Sequence, residues 1–226
     1  MIRLFLAFTS LLPLKVNHSF GSFIGYILYS FNSEAKSVSK QNLEICFPSL
    51  SKLELKSLLK KVLIETGKGL TESRLLWNQS FTENAKLVRN INGEHYLNNS
   101  KKTILLVPHM GCWEITGRVL AEKRKVTFMY RPLRNIKQND YLFSRRNQSN
   151  LTMASADKSG ILKIQRALKN GDLVGMLPDQ DPGKEGGLMT LFFGKKVNTM
   201  TLLARIAKKQ NAPVSYTHLR AHETDS

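Results

Sequence analysis

Short apolar runs alternate with amphipathic stretches in the second half of the chain, from residue 101 onward. This order is typical of βαβ units around a parallel sheet. It predicts strands at Thr103–Val107, Val126–Tyr130 and Leu173–Leu177, and helices at Cys112–Lys123, Ile136–Asn147, Ile161–Leu168 and Leu202–Ala207. Asn198 or Thr199 is the expected cap of the last helix. The predicted fold class is therefore α/β, with a mixed, mainly parallel sheet and flanking helices.

A helix is predicted to begin near Ser51, where Ser51 and Glu54 have the S-x-x-E form of a capping box. The apolar residues that follow recur at helical spacing, at positions 55, 58, 59, 62 and 63. Gly67 and Gly69 loosen this pattern before a further apolar group at positions 70, 75, 76 and 77. Either a second helix or a continuation of the first is expected there, with these apolar residues in the core.

The first 33 residues are mostly apolar, since Leu4–Leu14 carries no charge and His18 is the one side chain in Val16–Ser33 that could be charged at neutral pH. Together they are long enough to cross a bilayer, but Pro13, Lys15, Asn17, His18 and two glycines interrupt the run. Residues 1–33 are therefore predicted to be an N-terminal membrane anchor, as a helix or an interfacial segment. The alternative is an amphipathic helix pair that covers the core.

The chain is strongly basic, with 34 Lys and Arg against 17 Asp and Glu and a formal charge of +17. A hydrophobic content of 42% excludes intrinsic disorder, and the two cysteines, Cys46 and Cys112, exclude a disulfide scaffold. So basic a chain should bind a polyanion: nucleic acid, an anionic membrane, or an acidic or phosphorylated partner. Charge alone does not choose among them.

Each predicted strand is followed by residues capable of chemistry, which predicts one shared site at the carboxyl ends of the strands. His109 and Glu114 follow the first strand, Arg131 the second and Asp179 the third. In the H-x4-E pair, Glu114 could hold the His109 ring so that histidine acts as a general base. Alternatively, His109 is a surface residue and Glu114 an ordinary acid in a first helical turn.

Motifs of several other enzyme classes are missing: G-x-S-x-G, the phosphate loop, G-x-G-x-x-G and H-E-x-x-H. Hydrolase, NTPase, dehydrogenase and zinc protease activities are thereby disfavoured. Asp179 and Asp181 could bind a divalent metal, but acids in a turn flanked by proline and glycine serve backbone hydrogen bonds equally well. No metal and no cofactor are expected.

Five blocks in order resemble the lipid A biosynthesis (late) acyltransferases, of the lauroyl or myristoyl type. They are Asn42–Pro48, Pro108–Glu114, Tyr130–Pro132, the stretch Gly160–Gly183 that ends in Pro-Asp-Gln-Asp-Pro-Gly, and Phe192–Gly194. The resemblance covers about residues 42–214. The H-x4-E pair alone is shared, in H-x4-D/E form, with glycerophospholipid acyltransferases, whereas the five ordered blocks are much more specific.

The resemblance implies an enzyme of the bacterial inner membrane with its catalytic domain on the cytoplasmic side. It would transfer a fatty acyl chain from an acyl carrier protein thioester to a hydroxyl of a Kdo-bearing lipid A precursor. Carried over by position, His109 and Glu114 are the catalytic pair, and Arg131, Arg146 and Asp179 bind substrate. The expected partners are thus acyl carrier protein, the lipid A precursor and the membrane, and no nucleic acid.

The same resemblance implies that His109 deprotonates the acceptor hydroxyl, which attacks the thioester directly. An arginine would bind a phosphate or the oxyanion. Trp113, Phe192 and Phe193 are candidates for an acyl pocket, with burial in the core as the alternative. Lys195 and Lys196 are candidates for contacts with acidic partners.

Residues 34–214 are expected to form the acyltransferase domain, incomplete at its C-terminal end. After Val214 the sequence is polar, without strand or helix periodicity, so residues 215–226 are expected to be a non-native tail. Two other functions remain open at this point: a glycerophospholipid acyltransferase, and a non-enzymatic basic protein that binds nucleic acid or anionic lipid. In the second case the H-x4-E spacing would be accidental.

Overall fold

A computed structural model describes residues 11–98, 102–183 and 186–217 of the chain. The chain divides into two compact units, Met1–Asn78 and Gln79–Ser226. The predicted anchor is therefore described from residue 11 onward, and its first ten residues lie outside the described part. Residues 218–226 of the predicted tail also lie outside it.

The first unit contains three helices within the described residues: α1 (Leu14–Ser30), α2 (Glu34–Cys46) and α3 (Lys52–Asn78). The predicted capping box is present at the start of α3. The Glu54 N–H donates to Ser51 Oγ at 3.3 Å, and the Ser51 N–H donates to Glu54 Oε2 at 2.8 Å. Gly67 and Gly69 lie inside α3, so the second apolar group continues the same helix. Leu75 and Leu76 are buried as expected, but Leu70 is exposed.

Glycines allow α1 to lie very close to α3. A Cβ at Gly21 would lie 2.5 Å from the Lys68 Cα, and a Cβ at Gly67 would lie 2.1 Å from the Gly21 carbonyl oxygen. Asn17 and Thr71, both fully buried, bond each other's backbone carbonyls at 3.3 and 3.2 Å. Asn17 and the two glycines, Gly21 and Gly25, which interrupt the apolar run of the sequence, thus lie at the contact between these two helices.

Several apolar side chains of α1 are exposed: Val16, Phe23, Tyr26 and Ile27, and also Phe31 directly after the helix. Among the helices of the described residues, none has both the length and the apolar character that crossing a bilayer requires.

The second unit is an α/β structure, as predicted. Its helices are α4 (Phe81–Ala85), α5 (His95–Asn98), α6 (Trp113–Lys123), α7 (Ile136–Arg146), α8 (Lys158–Lys169) and α9 (Leu202–Gln210). Its strands are β1 (Thr103–Leu106), β2 (Val126–Tyr130), β3 (Leu151–Ser155), β4 (Leu173–Met176), β5 (Gly187–Phe192), β6 (Lys195–Met200) and β7 (Val214–Tyr216). A five-stranded sheet has the order β3-β2-β4-β1-β7 with parallel pairing throughout, and β5 and β6 form an antiparallel hairpin.

Successive residues of the central strands alternate between two apolar clusters, one on each face of the sheet. On one face, Leu105 and Phe128 pack with Leu120 of α6. On the other face, Ile104 and Met129 pack with residues of α8 and α9. Because both faces are covered, the strands read in the sequence as continuous apolar runs.

Four strands and one cap differ from the sequence predictions. Strand β3 and the β5–β6 hairpin were not predicted, because β3 mixes polar and apolar residues and β5 is exposed rather than half-buried. The expectation of no strand after Val214 was wrong, since Ser215 and Tyr216 belong to β7 and pair with β1 through backbone bonds, which need no apolar pattern. The cap of α9 is Thr201, because Asn198 and Thr199 lie in β6.

Candidate active site

Two neighbouring strands bring a histidine and an aspartate together at the carboxyl edge of the sheet. Strand β1 ends at Leu106 and β4 at Met176, and these two residues are paired in the parallel register. His109 and Asp179 each follow three positions later. Gly111, at a φ of 56°, makes the turn between His109 and α6, in a backbone region that glycine adopts at little cost. Equal loop lengths after paired strands therefore place both side chains at the same level beyond the carboxyl edge of the sheet.

Asp179 binds both the ring and the backbone of His109. Its Oδ1 lies 2.8 Å from His109 Nδ1, and its Oδ2 accepts the His109 backbone N–H at 2.7 Å. A carboxylate only accepts hydrogen bonds, so in the neutral ring the proton belongs on Nδ1. The other ring nitrogen, Nε2, then accepts, and the Gln180 amide lies 3.3 Å from it. His109 is thus held in the tautomer that a general base requires.

Glu114, the acid of the H-x4-E pair, forms an ion pair with Arg146. It is buried in the first turn of α6 and receives two bonds from the guanidinium in the last turn of α7, one of them from Nε at 3.2 Å. Trp113 lies between this pair and the histidine, with ring centroids 4.8 Å from His109 and the Arg146 guanidinium carbon 5.1 Å from its ring. The structure thus gives Asp179 the contact with His109 Nδ1 that the sequence analysis assigned to Glu114.

A second, fully buried arginine supports Glu114 from one turn further along α6. Arg118 donates to the Asn84 side chain and to the Gln79 carbonyl, and its guanidinium lies 4.7 Å from the Phe81 ring. Burial lowers the pKa of Arg118, and the negative charge of Glu114 opposes that shift. Arg118 therefore connects α4 to α6 and places positive charge beside the buried Glu114.

The second acid of the Asp179-Gln-Asp181 loop serves the hairpin. Asp181 accepts the Gly183 N–H at 2.9 Å and the Asn198 amide at 2.8 Å, and these bonds lower its pKa, with a smaller contribution from the charge of Arg131. Arg131 itself is exposed after β2. Both acids are thus engaged in hydrogen bonds, and no cluster of three or more possible metal ligands occurs among the described residues.

The sequence pattern placed His109, Glu114, Arg131 and Asp179 at one edge of the sheet, and the family resemblance added Arg146. The structure joins His109 with Asp179 and Glu114 with Arg146. Gln180 was missed as a site residue. Its position between two acids after a predicted strand was the available signal, but a glutamine there is equally common in ordinary turns.

The family model of bacterial lipid A biosynthesis acyltransferases matches residues 2–224. The chain belongs to this family. Among its curated relatives, the lipid A biosynthesis palmitoleoyltransferase of Escherichia coli (strain K12) is 28% identical over 189 residues, which are 80% of this chain and 60% of that protein. The lauroyltransferase of the same organism is 28% identical over 203 residues, 87% of this chain and 66% of that protein.

A lipid A biosynthesis acyltransferase of Haemophilus influenzae is 24% identical over 180 residues, which are 79% of this chain and 56% of that protein. The chain therefore spans about 60% of the length of the curated relatives that it matches. The family match covers both structural units, and the His109–Asp179 pair lies within it.

Proposed function

We propose that this chain catalyses the transfer of a fatty acyl group from an acyl carrier protein thioester to a hydroxyl of a Kdo-bearing lipid A precursor. The observation that carries the proposal is the His109–Asp179 pair, with Nδ1 bonded to a carboxylate and Nε2 facing the Gln180 amide. Membership of the family supplies the reaction class. The relatives' names include both lauroyl and palmitoleoyl transfer, so they support acyl transfer without choosing the chain length.

His109 acts as the base in a direct transfer without an acyl-enzyme. Nε2 takes the proton of the acceptor hydroxyl as its oxygen attacks the thioester carbon, which gives a tetrahedral oxyanion and an imidazolium. When the intermediate collapses, the carbon–sulfur bond breaks, and the imidazolium returns the proton to the leaving thiolate. Asp179 stabilises the imidazolium throughout, because its carboxylate lies 2.8 Å from Nδ1. The Gln180 amide is a hydrogen-bond donor beside the reacting atoms.

The arginines are assigned to anionic parts of the substrate. Arg131 is exposed and suited to a phosphate of the glycolipid acceptor. Arg146 is largely buried and its charge is directed to Glu114, so we assign it to positioning Trp113 beside His109 rather than to carrying a phosphate. On this assignment Glu114 contributes to the site through Arg146.

The substrates place the proposed enzyme at the cytoplasmic face of the bacterial inner membrane. Both the phosphorylated acceptor and acyl carrier protein are acidic, and the net charge of +17 favours contact with both. The exposed apolar side chains of α1, Phe23 and Ile27 among them, support attachment of the first unit at the membrane interface.

Acyl transfer from acyl carrier protein thioester to a Kdo-lipid A precursor tests the proposal, with membranes that contain the chain or its His109→Ala variant. Loss of the base should lower the rate by about 10²- to 10⁴-fold. His95→Ala is the matched control, since it removes an exposed histidine of the same unit and should change the rate by less than about twofold. No transfer by the unchanged chain, or equal transfer by the His109→Ala variant, would refute the proposal.

A further inference from the structure

The β5–β6 hairpin exposes large apolar side chains on both of its faces. Strand alternation puts Leu188 and Phe192 on one face and Met189 and Leu191 on the other, and all four are between 62% and 72% exposed. A hairpin that covers a core has one apolar face and one polar face. This one has apolar groups all round its first strand, which suits an element surrounded by an apolar medium better than one that packs on a flat surface.

The turn of the hairpin contains a bulky aromatic residue in a backbone conformation that is unfavourable for large side chains. Phe193 has a φ of 48° and Gly194 a φ of 71°, the left-handed pair of a two-residue turn for which Asn-Gly is the preferred sequence. A left-handed backbone is a strained state for a large side chain. Phe193 is also 54% exposed and stacks edge-on against Phe192 at 4.8 Å, so no core burial offsets the strain.

Positive charge lies beside these apolar groups. In the strand register, Lys195 is opposite Phe192 and Lys196 is opposite Leu191, and both lysines are exposed. Residues 187–200 contain no acidic residue. Aromatic and aliphatic side chains next to lysines are the combination by which interfacial segments bind anionic bilayers, since the apolar groups enter the headgroup boundary while the ammonium groups reach the phosphates.

We propose that the hairpin tip, residues 191–196, inserts into the headgroup region of an anionic lipid bilayer. The choice of lipid over another apolar partner rests on the lipid acceptor of the proposed function, together with the adjacent lysines. Insertion is shallow, because β5 and β6 pair with each other alone among the described strands, and their outer backbone groups require water or headgroups as partners.

The hairpin base is bonded to the loop that carries Asp179. Asn198 donates to Asp181 Oδ1 and to the Gly183 carbonyl, both at 2.8 Å, and Asp181 lies two positions after Asp179. A tip held in the bilayer therefore keeps His109 close to the lipid surface. An acceptor whose acyl chains remain in the membrane can then present its hydroxyl to Nε2.

A fluorophore at the tip tests insertion directly, whichever other part of the chain also binds lipid. The label is a bimane on Phe193→Cys in a Cys46→Ala/Cys112→Ala background, with vesicles of phosphatidylglycerol and phosphatidylethanolamine that carry spin-labelled acyl chains. We expect quenching at the tip and little at the same label on Leu162→Cys, since Leu162 is equally exposed, at 53%, on α8. Equal quenching at both positions, or none at the tip, would overturn the proposal.

Vesicle flotation of two variants tests the apolar and the electrostatic contributions to membrane binding separately. Phe193→Asn suits the turn, so the hairpin should stay folded while partition into vesicles falls about tenfold. Lys195→Gln/Lys196→Gln should lower partition about tenfold on phosphatidylglycerol vesicles and little on phosphatidylcholine. The matched control, Leu162→Asn, should leave partition unchanged. Unchanged partition of Phe193→Asn would refute insertion. In the fluorescence experiment, a label at the tip that is already shielded from iodide before lipid is added would indicate contact with a second copy of the chain instead.

Acyl transfer measured on the same samples separates this proposal from the proposed function. A tip that inserts in a chain without His109-dependent transfer would refute the function and leave the insertion standing. Transfer to a detergent-dispersed acceptor, combined with a tip that never inserts, would refute the insertion alone.

Discussion

Replacement of Asp179 by asparagine tests which acid supports His109. The asparagine side chain has the same shape, and its oxygen can still accept the His109 backbone N–H. Its NH₂ group would then face Nδ1 as a donor, so the ring proton would move to Nε2, the atom that accepts the proton of the acceptor hydroxyl in the proposed mechanism. Asp179→Asn thus keeps the fold of the loop and removes both the tautomer control and the negative charge.

The magnitude follows from the geometry of the pair. Opposite charges about 4 Å apart attract by about 4 kcal/mol near a protein surface and about 1 kcal/mol in bulk water. The side chains of His109 and Asp179 are 29% and 36% exposed, between these limits, so about 2 kcal/mol of imidazolium stabilisation is at stake. That is about thirtyfold in kcat, and the wrong tautomer adds about another ten- to hundredfold.

The assay is acyl transfer at saturating acceptor, with Asp181→Asn as the matched control. Asp181 lies in the same loop and accepts bonds from Gly183 and Asn198, which asparagine can also accept, so its kcat should change by less than about threefold. Glu114→Gln should act mainly through Arg146 and cost less in kcat than Asp179→Asn. The reverse order, with Glu114→Gln the more damaging and Asp179→Asn near wild type, would refute the assignment of Asp179.

Two further predictions concern stability. Gly67→Ala should destabilise the first unit by about 1–3 kcal/mol, because its Cβ would overlap backbone atoms of α1. Gly69→Ala, whose Cβ meets nothing within 4 Å, should instead stabilise α3 by about 0.5–1 kcal/mol. Thermal unfolding followed by circular dichroism compares the two variants, and equal effects would contradict the close packing. Hydrogen bonds from Ser155, Gly160 and Ser159 lower the pKa of Asp157, the cap of α8, from 3.8 to about 2. The stabilising effect of its charge is therefore present above about pH 4 and lost as pH falls toward 2. The difference in unfolding midpoint between the unchanged chain and Asp157→Asn should shrink over that pH range and stay constant above it.

The core strands could be predicted from the sequence because burial on both faces leaves a largely apolar run, as in Val126–Tyr130, where predicted and observed bounds agree. Strand β7 could not, since Ser215 and Tyr216 join the sheet edge through backbone bonds that impose no pattern on side chains. The hairpin was missed for a related reason. Its apolar residues lie in no core, so the alternation that identifies a half-buried strand is missing.

For the site, too, the sequence predicted which residues lie together but not which of them form hydrogen bonds with each other. Position after a strand was enough to group His109, Arg131 and Asp179 at one edge of the sheet. Which acid bonds the histidine depends on strand order, because β4 lies beside β1 only after the chain has crossed over to form β2 and β3. The six-residue H-x4-E motif gives Glu114 as the neighbour of His109 in sequence, whereas the sheet gives Asp179 as its neighbour in space.

Two carboxylates near one histidine have separate tasks in this arrangement, and their burial explains why. Glu114 is nearly inaccessible, and two arginines lie beside it, one bonded to it and one a turn away on α6. A buried carboxylate needs such compensation, so it is best used to fix the ends of α6 and α7. Asp179 is 36% exposed on the side chain and is bonded to the histidine through both oxygens. It can therefore stabilise the charge that appears on the ring in the proposed reaction, in which His109 acts as a general base.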